Sequence, residues 1–253
     1  MSHLAFRSFA ATHPGARRTL NEDSYVDRPA LGPTLGLWAV ADGAGGHEAG
    51  EVAASMIAET LGALAPGLPA ASLLEQAASR IAAIHHALRA EAARRGPRAV
   101  IAATLVLLLA SGDRFTCLWA GDARAYRLRA GSLAQLTTDH VPGDHVPGDH
   151  GPSRSSSAAP PVTRPPVTRA VGADLDDFAL ESTGGALAAG DRFLLCSDGV
   201  SKCLEPSELA ALLGAPQGVS PTELLLAAAL AREASDNITA VVIDVVIDAL
   251  PVD

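Results

Sequence analysis

The stretch Leu37-Trp38-Ala39-Val40-Ala41-Asp42-Gly43-Ala44-Gly45-Gly46-His47, followed by Glu48-Ala49-Gly50-Glu51-Val52-Ala53-Ala54, organises the chain. An apolar run of strand length, residues 35–41, ends on an aspartate, three glycines fall within the next four positions, and an Ala-rich helical pattern begins. A carboxylate at a strand end, beside backbone that can bend closely round a ligand, suits a cation or phosphate site. Asp-Gly is also a common turn dipeptide, so the same residues read equally well as a plain strand-turn-helix connection. Recurrence separates the two readings. Glu22-Asp23, Asp198-Gly199 and Asp236-Asn237 also sit at apolar strand termini or turns, and Asp122 follows Gly121 between two short strands.

Working outward, residues 4–11 can form a first strand, broken by His13-Pro14-Gly15, and residues 16–26 carry basic and then acidic groups into a short second one. Helices are expected from Glu48 to about Leu64 and from Ala70 to Arg95. In the longer helix, Leu74, Ala77, Ile81, Ile84 and Leu88 recur at spacings of three or four. The period then changes. Ala103–Ala110, Arg114–Ala120, Ala123–Arg129 and Ser132–Thr137 are β-compatible runs separated by turn signals, which read as an antiparallel meander. That pattern points away from a doubly wound nucleotide-binding fold. Further on, residues 191–199 form a strand ending on Asp-Gly, helices fall near 207–213 and 221–234, and a strand from Ile238 to Val246 closes the chain. Ser220-Pro221 serves as cap and first position of the last helix.

Residues 140–168 differ in kind. Val-Pro-Gly-Asp-His occurs twice over 141–150 and Pro-Pro-Val-Thr-Arg twice over 160–169, flanking a Ser-rich run. So much Pro, Gly and Ser cannot bury a core, and a loop or flap is expected. His140, His145 and His150 alternate with Asp144 and Asp149, a spacing that metal binding and tandem duplication explain equally well.

Composition narrows the function. Of 253 residues, 48% are hydrophobic but only 4% aromatic, so the core must be built of Ala, Leu and Val. A net charge of −9 argues against a nucleic-acid surface and suits a protein that gathers carboxylates round divalent metal. Cys117, Cys196 and Cys203 have no zinc spacing and read as buried, reduced thiols. With no signal-peptide pattern and no run of membrane-spanning length, a cytoplasmic protein is expected. Crowded carboxylates repel, and their pKa values rise unless cations neutralise them. Oxygen ligands without a Cys or His set favour magnesium or manganese.

The ordered series Arg18-x-x-Asn21-Glu22-Asp23, Val40-Ala41-Asp42-Gly43-x-Gly45-Gly46-His47, Ala103-Thr104, Ala120-Gly121-Asp122-x-Arg124, Leu136-Thr137-x-Asp139-His140, Arg169-Ala170-Val171-Gly172, Ser197-Asp198-Gly199 and Ser235-Asp236-Asn237 resembles the PPM family of metal-dependent protein serine/threonine phosphatases in its bacterial form. The resemblance covers roughly residues 13–245 and is consistent with one catalytic domain over 1–253, without a sensor or regulatory domain. It implies an α+β fold, a four-layer α-β-β-α sandwich of two antiparallel sheets flanked by helix pairs. It also implies hydrolysis of phosphoserine and phosphothreonine by a water bridging two Mn²⁺ or Mg²⁺ ions. Asp42 would bridge the ions, with Glu22 and the Gly43 carbonyl on one and Asp198 and Asp236 on the other. Asp23 would orient water, and Arg18 would hold the substrate phosphate through its planar fork; without the neighbouring Asn-Glu-Asp, Arg18 reads as a surface cation beside Arg17.

Three departures from the family stand out. Ala44 occupies the place of a general-acid histidine in many eukaryotic relatives, and neighbouring His47 reads as a helix cap. Lys202 stands where many relatives carry a carboxylate that shares a third metal with Asp122, which implies a weak or absent third site. The Pro-rich flap carries no transferable contacts. The implied partners are a phosphorylated protein and an opposing serine/threonine kinase, with the chain a monomer that binds neither nucleic acid nor membrane. Ser-Asp-Gly-Val-Ser-Lys, residues 197–202, is similar to phosphatases encoded beside type VI secretion systems. A phosphatase-like binding module and a hydrolase of small phosphoesters are the competing classes; loss of metal carboxylates would favour the module, and none of the five principal acidic positions is missing.

Overall fold

Which residues meet at the end of the molecule follows from the alternation of side chains along its strands. A computed structural model describes residues 3–45, 49–141, 168–215 and 218–248. In chain order the elements are β1 (His3–His13), β2 (Asp23–Gly32), β3 (Leu35–Gly45), α1 (Ala49–Gly62), α2 (Ala70–Arg95), β4 (Ile101–Ser111), β5 (Arg114–Ala120), β6 (Arg124–Arg129), β7 (Ser132–Gln135), β8 (Glu181–Ala186), β9 (Arg192–Cys196), α3 (Asp198–Ser201), α4 (Pro206–Leu213), α5 (Pro221–Ala231) and β10 (Ile238–Asp248). Two five-stranded antiparallel sheets form, in the orders β1-β10-β9-β6-β7 and β2-β3-β4-β5-β8.

Three apolar clusters make this the expected four-layer sandwich. Trp38, Val40, Val106, Leu108, Cys117, Trp119, Phe193, Leu195, Val241 and Ile243 pack between the sheets. The alternate residues of β3 and β4, such as Ala39, Ala41, Leu105 and Leu107, face α1 and α2. Leu194, Cys196, Ala240 and Val242 face α4 and α5. A central strand covered on both sides needs apolar residues at every position, and β4 is buried from Ile101 through Ala110. On α2 the buried stripe is Leu73, Ala77, Ile81, Ile84, His85, Leu88 and Ala92, shifted by one residue from Leu74 at its start. His85 belongs in that stripe because its ring is satisfied: Nδ1 accepts the Gly172 N–H at 3.0 Å and Nε2 lies 3.0 Å from the Leu175 carbonyl.

Three expectations are corrected and one unforeseen strand is added. The meander is two hairpins in different sheets, β4–β5 and β6–β7, and the chain crosses between them at Gly121-Asp122. β3 runs on through Gly45, so Asp42 lies inside the strand, opposite Asp23 on one side and Thr104 on the other. β8 pairs with β5 although its sequence, Glu-Ser-Thr-Gly-Gly-Ala, carries no strand signal. Cys203 is only partly buried, unlike Cys117 and Cys196. Most of the flap and its repeats, together with His47, lie outside the described residues. Ser220 and Pro221 stand at the expected cap and first position of α5, but the Ser220 hydroxyl pairs with Thr222 rather than capping the backbone. Among the described residues no helix is long and apolar enough to cross a membrane.

Candidate metal centre

Period-two alternation sends the inward side chains of both sheets to one end of the sandwich. Val40 points between the sheets, so Asp42 two residues later does too, and Asp23, its cross-strand partner, shares that face. On the other sheet the same rule follows Leu195 to Ser197 and Val241 back to Thr239. These ends meet: Asp23 Oδ2 accepts hydrogen bonds from Ser197 Oγ at 2.7 Å and Thr239 Oγ1 at 2.6 Å. Asp198 opens α3 directly after β9, and Asp236 lies in the turn before β10. Asn237 ties the N-terminal loop to this turn. Its Oδ1 accepts the Glu22 N–H at 2.8 Å, and its Nδ2 donates to the Pro14 and Leu20 carbonyls.

The carboxylates are threaded by two side-chain cations. Arg18 donates to Asp236 Oδ2 at 3.0 Å and stands 4.0 Å from Glu22 Oε2. Lys202 Nζ donates to Asp198 Oδ2 at 2.6 Å and Asp122 Oδ2 at 2.9 Å, so its ammonium lies against the carboxylate named for the third site. Asp122 and Asp198 are each 2% exposed, whereas Arg18 lies at the rim. Burial pushes the Asp23 carboxyl up to about 6 against the hydrogen bonds from Thr239 and Ser197, with the Asp236 and Glu22 charges adding to the rise. Burial likewise raises Glu22, opposed by Arg18 and assisted by Asp236.

Glycine is required where backbones close on the site. A Cβ on Gly43 would stand 2.2 Å from the Gly50 carbonyl oxygen, and one on Gly199 would stand 1.9 Å from that of Asn237. Gly50 faces the same contact from the other side, since a Cβ there would stand 2.8 Å from the Gly43 carbonyl carbon. The Gly43 N–H donates to the Glu22 carbonyl at 3.1 Å, which fixes the loop against β3.

Of the residues expected at the site, Glu22, Asp23, Asp42, Gly43, Asp122, Asp198, Asp236, Arg18 and Lys202 fall at this end of the sandwich. Ala44 is exposed on β3 just beyond Gly43. Of the three flap histidines only His140 is described, and its ring is engaged with Gly121 and Glu181 rather than with the carboxylates. Sequence reading gave no role to Ser197 and missed Thr239; each is a hydroxyl at an inward position of an otherwise apolar strand, and that is the signal that could have found them. Among the described residues no group of three or more His, Cys, Asp and Glu side chains forms a ready-made metal cage. The donor chemistry nevertheless fits a hard divalent cation: all the donors are oxygens, their charges crowd, and the cations present are tethered side chains.

The protein phosphatase 2C family pattern matches residues 16–232. The chain belongs to that family. It is 32% identical over 243 residues to the serine/threonine protein phosphatase PstP of Mycobacterium tuberculosis, covering 96% of this chain and 46% of the relative. The chain thus spans about half the length of the curated relatives it matches. Among solved structures, PppA, a key regulatory component of T6SS in Pseudomonas aeruginosa, superposes with a TM-score of 0.81 at 35% identity, over 97% of this chain and 100% of that one. The catalytic domain of PstP in complex with 2 manganese ions gives 0.76 at 31% identity, over 96% and 99%. The second is a bacterial serine/threonine phosphatase, the class that the motif order indicated.

Proposed function

We propose that this chain is a single catalytic domain that hydrolyses phosphoserine and phosphothreonine in proteins with the help of two divalent ions, Mn²⁺ or Mg²⁺. The observation that carries the reading is the convergence of Asp23 and Asp42, paired across β2 and β3, with Asp198 just after β9 and Asp236 just before β10 of the facing sheet. Asp42, Glu22 and the Gly43 carbonyl would hold one ion, and Asp42, Asp198 and Asp236 the other. The ions, when bound, would supply Lewis acidity and a nucleophile of lowered pKa. Asp23, held by Ser197 and Thr239, would serve as the acceptor that orients that nucleophile. Arg18, half exposed at the rim, would exchange Asp236 for the substrate phosphate, which its fork can bind through two oxygens.

A protein substrate is the reading that the likeness to the serine/threonine protein phosphatase PstP supports. The partners are then a phosphorylated protein and the kinase that opposes this enzyme in the cytoplasm. The likeness to PppA extends the proposal to secretion control; unchanged phosphorylation of secretion components after deletion of the gene would remove that extension.

The test is phosphate release from a phosphothreonine peptide and from nucleotides, with and without Mn²⁺, by wild type and Asp42→Asn. Mn²⁺-dependent turnover of the peptide, abolished by the substitution, is the expected result. A folded, metal-loaded wild type inactive on the peptide would refute the proposal, and faster turnover of nucleotides would reassign the substrate.

A further inference from the structure

We propose that His140 and Glu181 are positioning residues that act on Asp198 through the Gly121-Asp122 crossing and Lys202; the two-ion reading supplies only the functional consequence of this coupling. His140 is 3% exposed and exchanges two hydrogen bonds with Gly121. Its backbone N–H donates to the Gly121 carbonyl at 3.0 Å, and its Nδ1 accepts the Gly121 N–H at 3.0 Å. An imidazole that accepts at Nδ1 in its neutral form carries its proton on Nε2. That Nε2 stands 3.0 Å from Glu181 Oε1, a close electrostatic contact off the line of its N–H, and Arg169 Nη1 reaches the same oxygen at 3.1 Å. The Trp119 ring lies nearly parallel to the imidazole, and its indole N–H donates to the Thr138 carbonyl at 2.9 Å. Contacts from β5 and β8 thus fix the ring.

Gly121 packs closely against Thr104 of β4 on its other side. Its φ is +108°, and a Cβ there would stand 2.5 Å from Thr104 Cβ. The next residue is Asp122, whose Oδ2 takes the Lys202 ammonium that also holds Asp198. A continuous chain of contacts therefore runs from β8 at the edge of one sheet to a carboxylate at the start of α3 on the other. Removing the imidazole deprives a buried N–H of its acceptor. The crossing then relaxes and takes Asp122 and the ammonium with it.

The test uses the full, metal-free chain and reads the rate at which an N-hydroxysuccinimidyl acetate acetylates Lys202, by mass spectrometry, alongside the thermal midpoint. His140→Asn sets an amide oxygen near the Nδ1 position and keeps the Gly121 acceptor. His140→Gln reaches toward Glu181 but offers nothing to Gly121. The expected result is a rise of roughly fivefold in His140→Ala and His140→Gln, a modest coupling for one network, with His140→Asn near wild type. Glu181→Ala, which leaves the Gly121 contact in place but frees the ring, gives a smaller rise. Equal rates in all the proteins, or rises that follow the loss of thermal midpoint in every variant, would overturn the proposal. Mn²⁺ titration adds the functional arm: affinity falls in His140→Gln, and that fall disappears in a Lys202→Met background. A wild type that binds no Mn²⁺ yet shows the acetylation pattern would remove the two-ion reading and leave the coupling standing.

Discussion

Arg18 and Lys202 each hold a pair of acidic side chains, yet the two arrangements differ in what they permit. Arg18 reaches Asp236 and Glu22 from a loop, with nearly half of its side chain exposed and both partners partly open. Such a pair contributes about 0–1 kcal/mol, so a divalent ion displaces it at small cost. Lys202 is as exposed as Arg18, but it bridges two carboxylates that are each 2% exposed, one of them four residues before it in sequence, so the difference lies in the burial of the partners. Taking the ammonium away would leave buried charges uncompensated. A carboxylate offers two oxygens, so Asp198 can keep the ammonium on Oδ2 and still serve an ion. The comparison teaches that one half of the centre is open to exchangeable cations and the other is closed by a cation of its own.

The largest effect falls where the halves meet. Asp42→Asn should lower Mn²⁺-dependent turnover of a phosphothreonine peptide by roughly a thousandfold, the upper end for loss of one preorganised electrostatic group. Urea unfolding should show Gly199→Ala losing about 3 kcal/mol, because the new Cβ meets backbone that cannot turn aside. Retention of wild-type stability would mean that α3 can shift away from β10, and the closed half would not be rigid.

Arg18→Ala should raise KM for the peptide about tenfold, the scale of a lost charge-assisted hydrogen bond. The same variant should bind Mn²⁺ more tightly, because Asp236 and Glu22 lose a built-in competitor. A weaker affinity would make Arg18 a support for the ions rather than a placeholder.

The smallest effect is a pH dependence. The Asp23 carboxyl ionises near the ordinary aspartate value of 3.8 in the unfolded chain but only near 6 in the fold. Between those values the folded state holds the extra proton, so this group's contribution to stability is full below about pH 4 and lost as pH rises to about 6. Metal-stripped wild type should therefore lose stability relative to Asp23→Asn across that window and hold a constant offset above it. A difference that stays flat from pH 4 to 7 would show that Ser197 and Thr239 offset the burial.

Much of this centre was legible in the chain because it follows from local order. Asp42 and Asp198 close apolar runs, and the spacing of Lys202 from Asp198 is one helical turn. What sequence did not show depends on pairing across the sandwich. The turn at Gly121-Asp122 reads as a hairpin until β6 is seen beside β9, and only that crossing brings Asp122 to Lys202. β8 is polar and Gly-rich because it lies at a sheet edge with alternate residues exposed, so neither hydrophobicity nor β-propensity marks it. The strands that carry Ser197 and Thr239 were found, but the meeting of their hydroxyls on Asp23 belongs to the packing of two sheets.

The most direct test of the account counts Mn²⁺ ions, by calorimetric titration, in wild type and in Lys202→Asp. The account predicts two ions in the wild type and one more in the variant, where a carboxylate replaces the tethered ammonium beside Asp122 and Asp198. A third ion already bound by the wild type with similar affinity, or a variant that gains none, would contradict the division of the centre into an open and a closed half.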